Sequence, residues 1–468
     1  MKLLHVLGLA LTLFLSGCGG KGSTASTSTG TTTTTPTVSL SSITIAPATP
    51  TVAIGSTITL TATGTYSDGT SAAITKDLTW SSTNQFATIT STTGIVTGTA
   101  IGNETITATV GKVIGTVKVQ VQGQYAVVSA GGNHSLVIKT NTSLLGTGLN
   151  RNGQVGDLTN IDKASFTSVS SATTWSNISA GEFHSLALKA DGSLWAWGFN
   201  QNGQIGDGSF VDKNTPTKIG SDTWIAIAAG KSHSLGIKKD GSLWAWGRNF
   251  NYQLGDGTNI DRVSPVQIGS IKTWTSVSAG ASHSIARRSD GSLWGWGDNG
   301  SGQLGIGPTL SATAPIQIGS ATWVAIAAGA SFSAAIRSDG ALFSWGANES
   351  GQLGIDAFSD RLNPSQVGTA SNWASITAGN KHMLALKTDG SLWSWGANND
   401  GQLGLNSTST AASPLQIGSD KDWKNISAGG AHSLAIKANG SLWVWGRNID
   451  GQLGDGKKIN LLIPTNLP

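Results

Sequence analysis

Charge and cysteine are scarce in this chain of 468 residues. Charged side chains make up 12% of it, about half the usual share, and 29 basic against 25 acidic residues leave a net charge of only +4. Lysine and arginine never form a run longer than a pair. A nucleic-acid partner is therefore disfavoured, because binding phosphates requires a basic patch. The single cysteine excludes an internal disulfide and a thiolate metal cluster.

The apolar run at the amino terminus is too short to cross a membrane. Val6 to Leu15 span about ten residues after Lys2, whereas a spanning helix needs about 20, so the run is typical of a secretory signal. It ends in Leu15-Ser16-Gly17-Cys18, which resembles the lipobox of bacterial lipoproteins. That resemblance implies a signal peptide over residues 1–17, a lipid on Cys18 and, since Gly19 is not Asp, a place in the outer membrane or at the cell surface. We expect no transmembrane helix after it.

Two segments separate this signal from the rest of the chain. Residues 18–38 are rich in Ser and Thr, including Thr31 to Thr35, and predict a flexible tether that forms no core. Residues 39–122 alternate small polar and β-branched residues, which predicts the short strands of a β-sandwich. The runs Tyr66–Thr70, Leu78–Ser82 and Gly94–Gly98 resemble a bacterial immunoglobulin-like domain of group 2, and the resemblance implies that Trp80 is a core residue and that the segment serves as a stalk.

Residues 123–468 repeat one pattern seven times. An Ala-Gly pair followed by His-Ser recurs with its Gly at 131, 181, 230, 280, 329, 379 and 429. A fixed period near 50 indicates a propeller or a solenoid, and each repeat offers about four runs of strand length. Asp-Gly pairs between two such runs predict hairpins with a two-residue type I′ turn. The sequence therefore predicts an all-β chain, in which a seven-bladed β-propeller follows the sandwich and its many Trp pack blade against blade.

The repeat resembles the regulator of chromosome condensation repeat family. The matching elements are Ala-Gly-x-x-His-Ser, Asp-Gly-x-Leu-x-x-Trp-Gly and Gly-Gln-Leu-Gly. The best known member of the family exchanges nucleotide on a small GTPase, partly through a wedge inserted between blades. In this chain the even spacing of the repeats leaves no room for such an insertion, and export would place the chain in a different compartment from the GTPase. We therefore expect no GTPase partner. Light sensing, as in the plant ultraviolet-B receptor of the family, is disfavoured because no Trp lies between Ala-Gly and His. A bacterial β-lactamase inhibitory protein of the same repeat binds an enzyme with one propeller face.

No catalytic or metal-binding constellation is evident in the repeats. The histidines at 134, 184, 233, 283, 382 and 432 fall one to a blade, with Phe332 in the fifth, so they cannot converge on one metal. Turn residues Asp207, Asp256 and Asp455 leave calcium open, although other repeats carry apolar residues there. Single, evenly spaced carboxylates do not supply the converging pair that a glycan hydrolase needs. We therefore predict no cofactor, no metal and no enzymatic activity.

Departures from the repeat indicate where a partner binds. Phe183, Phe199, Phe250 and Tyr252 lie in turn segments that should be exposed, and Tyr252 stands where most repeats have Gly. Arg248 lies beside them as a further candidate anchor. Exposed aromatics on a rigid loop face are typical protein-interface anchors, with mutual loop packing as the alternative.

Taken together, these patterns predict an exported, lipid-anchored binding protein. A tether and a stalk would hold the propeller away from the membrane, and one propeller face would bind an unidentified protein or glycan. Two alternatives stay open: an envelope enzyme acting on glycans in the central depression, and a purely structural envelope protein.

Overall fold

A computed structural model describes residues 37–467, so the predicted signal peptide, Cys18 and nearly all of the tether lie outside the described residues. Residues 37–467 fold into strands, turns and loops, and they include no helix that is long and apolar enough to cross a membrane. A small sandwich precedes seven four-stranded sheets that follow one another along the chain. The predicted all-β class, with a sandwich and a seven-bladed propeller, is confirmed.

The sandwich consists of three small sheets around one core. Their strand orders are β1-β4-β5, β2-β10-β9-β6 and β3-β8-β7, and Trp80 is buried among Ile106, Val119 and their neighbours. Its strands are β1 (Leu40–Ala46), β2 (Thr51–Ala53), β3 (Thr57–Thr59), β4 (Thr61–Tyr66), β5 (Ser71–Ala73), β6 (Thr79–Ser82), β7 (Ala87–Ile89), β8 (Ile95–Gly98), β9 (Gly102–Val110) and β10 (Val113–Gln122).

A buried carboxylate organises one corner of the sandwich. Glu104 is fully buried on β9, and its two oxygens accept hydrogen bonds from the backbone N–H groups of Thr83, Gln85, Phe86 and Ala87. Burial alone would raise the pKa of this carboxyl, but the hydrogen bonds from Thr83, Phe86 and Ala87 outweigh burial and lower the pKa. Glu104 therefore fixes the loop between β6 and β7 and has a structural role.

Each propeller blade is a meander of four antiparallel strands, numbered here from the centre outwards. The first strands are β11 (Tyr125–Ala130), β15 (Trp175–Ala180), β19 (Trp224–Ala229), β23 (Trp274–Ala279), β27 (Trp323–Ala328), β31 (Trp373–Ala378) and β35 (Trp423–Ala428). The second strands are β12 (His134–Lys139), β16 (His184–Lys189), β20 (His233–Lys238), β24 (His283–Arg288), β28 (Phe332–Arg337), β32 (His382–Lys387) and β36 (His432–Lys437).

The outer half of each blade is formed by its third and fourth strands. The third strands are β13 (Leu144–Gly148), β17 (Leu194–Gly198), β21 (Leu243–Gly247), β25 (Leu293–Asp298), β29 (Leu342–Gly346), β33 (Leu392–Gly396) and β37 (Leu442–Gly446). The fourth strands are β14 (Lys163–Ser168), β18 (Lys213–Lys218), β22 (Arg262–Gln267), β26 (Ser311–Gln317), β30 (Arg361–Gln366), β34 (Ala411–Gln416) and β38 (Leu461–Leu467). Blades 1 to 7 follow chain order, from β11–β14 to β35–β38.

This meander gives the propeller two different faces. One carries the loops that join strands 1 to 2 and 3 to 4 of every blade, and we call it the long-loop face. The other carries the hairpins between strands 2 and 3 and the connections between blades, and we call it the hairpin face. The chain enters the propeller from the sandwich on the hairpin face, where Gly123 N–H donates to Asn439 O at 2.7 Å. The long-loop face therefore points away from the entry of the chain.

The Asp-Gly hairpins differ from the predicted turn type. Gly192 has a φ of 79°, but Asp191 is not left-handed, and Gly192 N–H donates to Lys189 O at 2.9 Å. The loop is thus a type I turn followed by a left-handed Gly, and the expected two-residue type I′ turn is wrong. Asp191 prefers this geometry because its Oδ1 accepts hydrogen bonds from the backbone N–H and the hydroxyl of Ser193.

Tryptophan links each blade to the one before it. The second Trp of the Trp-x-Trp strand is fully buried, and Trp197 Nε1 in blade 2 donates to Gln154 O in blade 1 at 2.9 Å. The same contact recurs in the five blades that follow. Indole therefore contributes both apolar volume and one hydrogen bond to each of these blade interfaces.

The ring closes with a different pair of residues. Blade 1 has Thr147 where the other blades have the second Trp, and Phe166 on β14 where the other blades have Pro. An added Cβ on Gly454 would meet Phe166, whereas at Gly404 it would meet Trp445 and Pro464. Phe166 therefore fills the volume that Trp occupies elsewhere. The last strand, β38, is the outer strand of blade 7.

Candidate functional site

All five candidate partner-binding residues lie on the long-loop face. Phe183 is in the loop between the first two strands of blade 2, and Phe199 follows its third strand. Arg248, Phe250 and Tyr252 lie in the loop between β21 and β22 of blade 3. The fold therefore places these residues on one face, in two neighbouring blades, away from the entry of the chain.

Two of these aromatics pack against each other. The rings of Phe183 and Phe199 have centroids 6.3 Å apart with an interplanar angle of 71°, an edge-to-face arrangement. Both side chains are half-buried. The expectation that they are exposed is corrected, because each ring covers part of the other.

Blade 3 presents an exposed aromatic with a cation beside it. Phe250 is 68% exposed, and the Arg248 guanidinium lies 5.9 Å from the centroid of its ring. Arg248 is itself exposed. Removing water from planar guanidinium and aromatic groups costs little free energy, so a partner could bind against this exposed pair.

Tyr252 has a strained backbone. Its φ is 62°, in the left-handed region, and the six equivalent residues in the other blades are all Gly with φ between 69° and 84°. At one of them, Gly203, an added Cβ would lie 2.7 Å from Val263 Cα of the next blade. Blade 3 therefore has a half-buried tyrosine at a position where the left-handed backbone conformation costs a non-glycine residue about 1–2 kcal/mol.

The repeat also exposes aliphatic side chains that the sequence reasoning missed. One position, two residues before the fourth-strand residue that pairs with the glycine near the end of the third strand, carries a large aliphatic side chain that is 58% to 78% exposed in five consecutive blades around the closed ring. We call this set the aliphatic arc, and its members in blades 7, 1, 2, 3 and 4 are Ile459, Ile161, Val211, Ile260 and Leu310. The signal was present in the sequence as an apolar residue at a fixed position of a polar loop.

The six histidines bind neighbouring blades and not metals. His134 Nε2 lies 2.9 Å from Ser185 Oγ of the next blade, and the Ser185 hydroxyl donates to Gln154 O at 2.8 Å. Because the hydroxyl proton is used there, the imidazole carries its own proton on Nε2 and donates it to the serine. Burial lowers the pKa of the histidines to about 3, and to about 4 for His382. They are therefore neutral structural groups.

The turn aspartates are occupied by protein groups. Asp207 pairs with Lys213 at 3.0 Å and Asp256 with Arg262 at 2.7 Å, while Asp455 accepts a hydrogen bond from Asn448. Within residues 37–467, no three His, Cys, Asp or Glu side chains are grouped as metal ligands. These aspartates stabilise their turns.

A shallow central depression opens on the long-loop face. It has a volume of about 420 Å³ and is lined by the Ala-Gly segments of all seven blades. Its charged lining residues are Glu182 and Lys231. A glycan hydrolase here would need two converging carboxylates, and this lining contributes one.

A second cavity of about 180 Å³ lies beside the depression, at blades 4 to 6. Glu349 and Asp360, which both belong to the long loop of blade 5, are among its lining residues. Lys381 donates to Glu349 and lowers the pKa of that carboxyl. A lowered pKa is opposite to what a general acid for glycoside cleavage requires.

Family models match both parts of the chain. Residues 39–121 match the bacterial Ig-like domain (group 2). Residues 269–468 match the RCC1-like domain, and two models of the regulator of chromosome condensation (RCC1) repeat match residues 191–237 and 240–287, and residues 126–154, 175–204 and 224–253. The two resemblances drawn from the sequence are thus confirmed.

Solved structures show the same propeller fold. Human WBSCR16 is 21% identical with a TM-score of 0.61, over 70% of this chain and 90% of that chain. Prp20p from Saccharomyces cerevisiae is 22% identical with a TM-score of 0.64, over 71% of this chain and 87% of that chain. Identities this low support the fold alone.

One bacterial protein matches part of the chain. The chain is 34% identical over 139 residues to ice-binding protein 1 of Shewanella frigidimarina. The alignment covers 30% of this chain and 15% of that protein, so this chain spans a small part of that relative's length.

Proposed function

Since the chain joins a group 2 bacterial Ig-like domain to a propeller of regulator of chromosome condensation repeats, we propose that it is an exported binding protein that presents its long-loop face to a protein partner. The Ig-like domain and the similarity to a Shewanella ice-binding protein support a place outside the cytoplasm. The lipobox-like sequence before Cys18 supports anchoring by lipid.

The observation that carries this proposal is the loop of blade 3. Tyr252 keeps a left-handed backbone where Gly would be free of strain, and Phe250, two residues away, is 68% exposed. Strain and exposed aromatic area both cost stability in the isolated protein. A partner that covers Phe250 and Arg248 recovers the cost of the exposed area, because aromatic and arginine side chains dominate the energy of protein interfaces.

The aliphatic arc extends this surface. Ile260 belongs to the same loop as Phe250, and the arc continues over Val211 and Ile161 on one side and Leu310 on the other. Its side chains stand at equivalent positions in the long loops of successive blades. A partner would thus meet a preorganised apolar rim, and little conformational entropy would be lost on binding. Recognition would involve no chemical step.

Site-specific photo-crosslinking in the producing cells tests this function. A photoreactive residue at position 250 should form a discrete adduct with one envelope protein, identified by mass spectrometry. The matched control is position 271, because Ile271 is a partly exposed aliphatic residue of the connection after β22, on the hairpin face. It should form no such adduct.

The same adduct must depend on the neighbouring side chains. Arg248→Ala combined with Tyr252→Gly should reduce the yield at position 250 about tenfold or more, since interface anchors contribute about 2 kcal/mol or more each. Adducts of equal yield at positions 250 and 271 would overturn the proposal. Absence of any adduct would favour the purely structural alternative.

A further inference from the structure

The cavity at blades 4 to 6 is chemically unlike the aliphatic arc. It is lined by Ser301 of blade 4, by residues of blade 5 that include Glu349, Gln352 and Asp360, and by Asn380 and Lys381 of blade 6. Blades 5 and 6 have Ser359 and Ser409 where the arc has aliphatic residues. The long-loop face is therefore divided into an apolar part and a polar part, and the cavity belongs to the polar part.

One side chain beside the cavity is too short to bridge the two loops around it. Between blades 1 and 2, Asn152 Nδ2 donates to Asp212 of the next blade at 3.0 Å, which bridges the two loops. Between blades 4 and 5 the equivalent residues are Ser301 and Asp360. The serine makes no side-chain hydrogen bond to Asp360, and both residues line the opening instead. Asp360 Oδ1 accepts from Asn348 N–H at 2.9 Å, while Oδ2 has no hydrogen-bond partner within residues 37–467.

A buried amide also faces this space without a partner. Gln352 is 2% exposed, and its Oε1 accepts from Ser350 N–H at 2.8 Å. Its Nε2 makes no hydrogen bond to any residue of the described chain, yet the residue lines the cavity. In blade 4 the equivalent Gln303 Nε2 donates to Asp298 at 2.7 Å, whereas the Nε2 atoms of Gln154, Gln204, Gln253 and Gln452 are fully buried and also without a partner among the described residues. Gln352 differs from these four because it lines an opening, where its unused N–H donor can meet a ligand that accepts a hydrogen bond.

We propose that this cavity binds a small neutral saccharide. Sugar hydroxyls both donate and accept, so one ring matches the acceptors Asp360 and Glu349 and the donors Gln352 and Lys381 together. An anion would be opposed by the two carboxylates, and a cation would displace Lys381 from Glu349. Ala330 and Ala347 supply the apolar lining that the C–H groups of a sugar need.

Saturation-transfer NMR on the exported chain from residue 19 tests this site. The probes are glucose, galactose, mannose, N-acetylglucosamine and maltose, each at millimolar concentration. Ser301→Asn should bridge to Asp360 as Asn152 does to Asp212 and close the cavity. Asp360→Asn should remove the charge and keep the backbone cap, because Asn460 caps Asn448 in the same way in blade 7.

Matched variants control for folding. Ser350→Asn and Asp261→Asn change the equivalent positions in blades 5 and 3, which are outside the cavity lining. At least one sugar should bind the natural chain and both controls, and its affinity should fall about tenfold in Ser301→Asn and in Asp360→Asn, as expected for losing a charge-assisted hydrogen bond.

Three outcomes would overturn the saccharide site. These are no saturation of any of the five sugars, equal binding by the cavity variants and the controls, or cleavage of maltose, which would make the cavity catalytic. The result is independent of the protein-binding proposal. Phe250→Ala with Tyr252→Gly should leave sugar binding unchanged, and Ser301→Asn should leave the crosslink at position 250 unchanged.

Discussion

Phe332 and Met383 occupy, on two successive blades, the positions that hold a hydrogen-bonded His and Ser at the six other blade interfaces of the described propeller. Both are fully buried in one apolar cluster that spans blades 5 and 6. The two changes belong together, because a buried imidazole without its serine would lose its only acceptor. An apolar pair of similar volume removes both polar groups at once.

The interface between blades 5 and 6 lacks other polar links as well. At most blade interfaces a serine or threonine of the first strand accepts from the backbone of the next blade, as Ser129 does from Ala180 N–H, but blade 5 has Ala327 there. Ala330 N–H makes no backbone bond to blade 6 among the described residues, whereas Asn380 N–H donates to Gly429 O at the next interface. Packing therefore replaces these particular links. The polar contacts that remain between the two blades include Trp395 Nε1 to Gln352 O, Asp356 N–H to Ala412 O and the ion pair of Lys381 with Glu349.

Restoring the polar pair tests this coupling. Phe332→His alone should lower the free energy of unfolding by about 2–4 kcal/mol, because it creates a cavity and an unpaired N–H. Adding Met383→Ser should recover about 1–3 kcal/mol beyond additivity. Urea unfolding of the two single variants and the double variant measures the coupling. Strict additivity would show that the two positions are energetically independent.

The buried histidines make the propeller acid-sensitive. Their native pKa is about 3 to 4, below the ordinary histidine pKa of about 6.5, so unfolding takes up protons below about pH 6.5. Their contribution is complete above pH 6.5 and is lost as pH falls towards the native pKa. Each histidine should lower the free energy of unfolding by about 1.4 kcal/mol for every pH unit below about pH 6. Urea titrations between neutral and mildly acidic pH measure this slope.

A variant with one histidine fewer is the control for that slope. His184→Phe with Ser234→Met copies the pair found at Phe332 and Met383 and should reduce proton uptake at about pH 5 by one of about six protons. An unchanged uptake would mean that His184 is already charged in the native state.

Tyr252→Gly should make the isolated chain more stable. Glycine removes the strain of the left-handed backbone, and this gain exceeds the loss caused by the greater conformational freedom of the unfolded chain. The free energy of unfolding should therefore rise by about 0.5–1 kcal/mol. The reverse change in blade 2, Gly203→Tyr, should cost about 2 kcal/mol or more, because its Cβ would lie 2.7 Å from Val263 Cα. Thermal melting compares the two variants. A less stable Tyr252→Gly variant would show that ring packing exceeds the strain.

The residues that close the ring should also be coupled. Thr147→Trp alone overfills the space held by Phe166, and Phe166→Pro alone empties it, so each should destabilise by about 1–3 kcal/mol. The double variant recreates the Trp and Pro of the other blades and should be more stable than the sum of the single changes predicts. Calorimetry of the three variants measures this. A double variant no better than additive would assign the interface to other contacts.

Cys18→Ser should release the protein from the membrane. Without the thiol no lipid is attached, and the apolar run before it is too short to anchor the chain by itself. Cell fractionation and metabolic labelling with a radioactive fatty acid provide the readout. Continued membrane association of an unlabelled Cys18→Ser chain would show that another part holds it there.

The repeat pattern alone predicted the blades, because each repeat encodes four strands of fixed length and each apolar alternation faces a neighbouring blade. It also predicted that the histidines are structural, since seven-fold placement keeps them apart. The hairpin type was mispredicted, because Asp191 and Gly192 fit more than one turn until the chain between Lys189 and Ser193 is closed.

The sequence by itself determined the period, the blade number, the two domain types and the departures from the repeat, because these depend on local spacing along the chain. Only the tertiary structure decided which departures compensate one another. Phe332 meets Met383 across a blade interface, Thr147 and Phe166 of blade 1 both lie against Gly454 of blade 7, and Ser301 faces Asp360 across a gap. Closing the ring brings these residues together, either from repeats about 50 residues apart or from within one long loop. The burial of each pair then determines whether its contact is polar, apolar or open to a ligand.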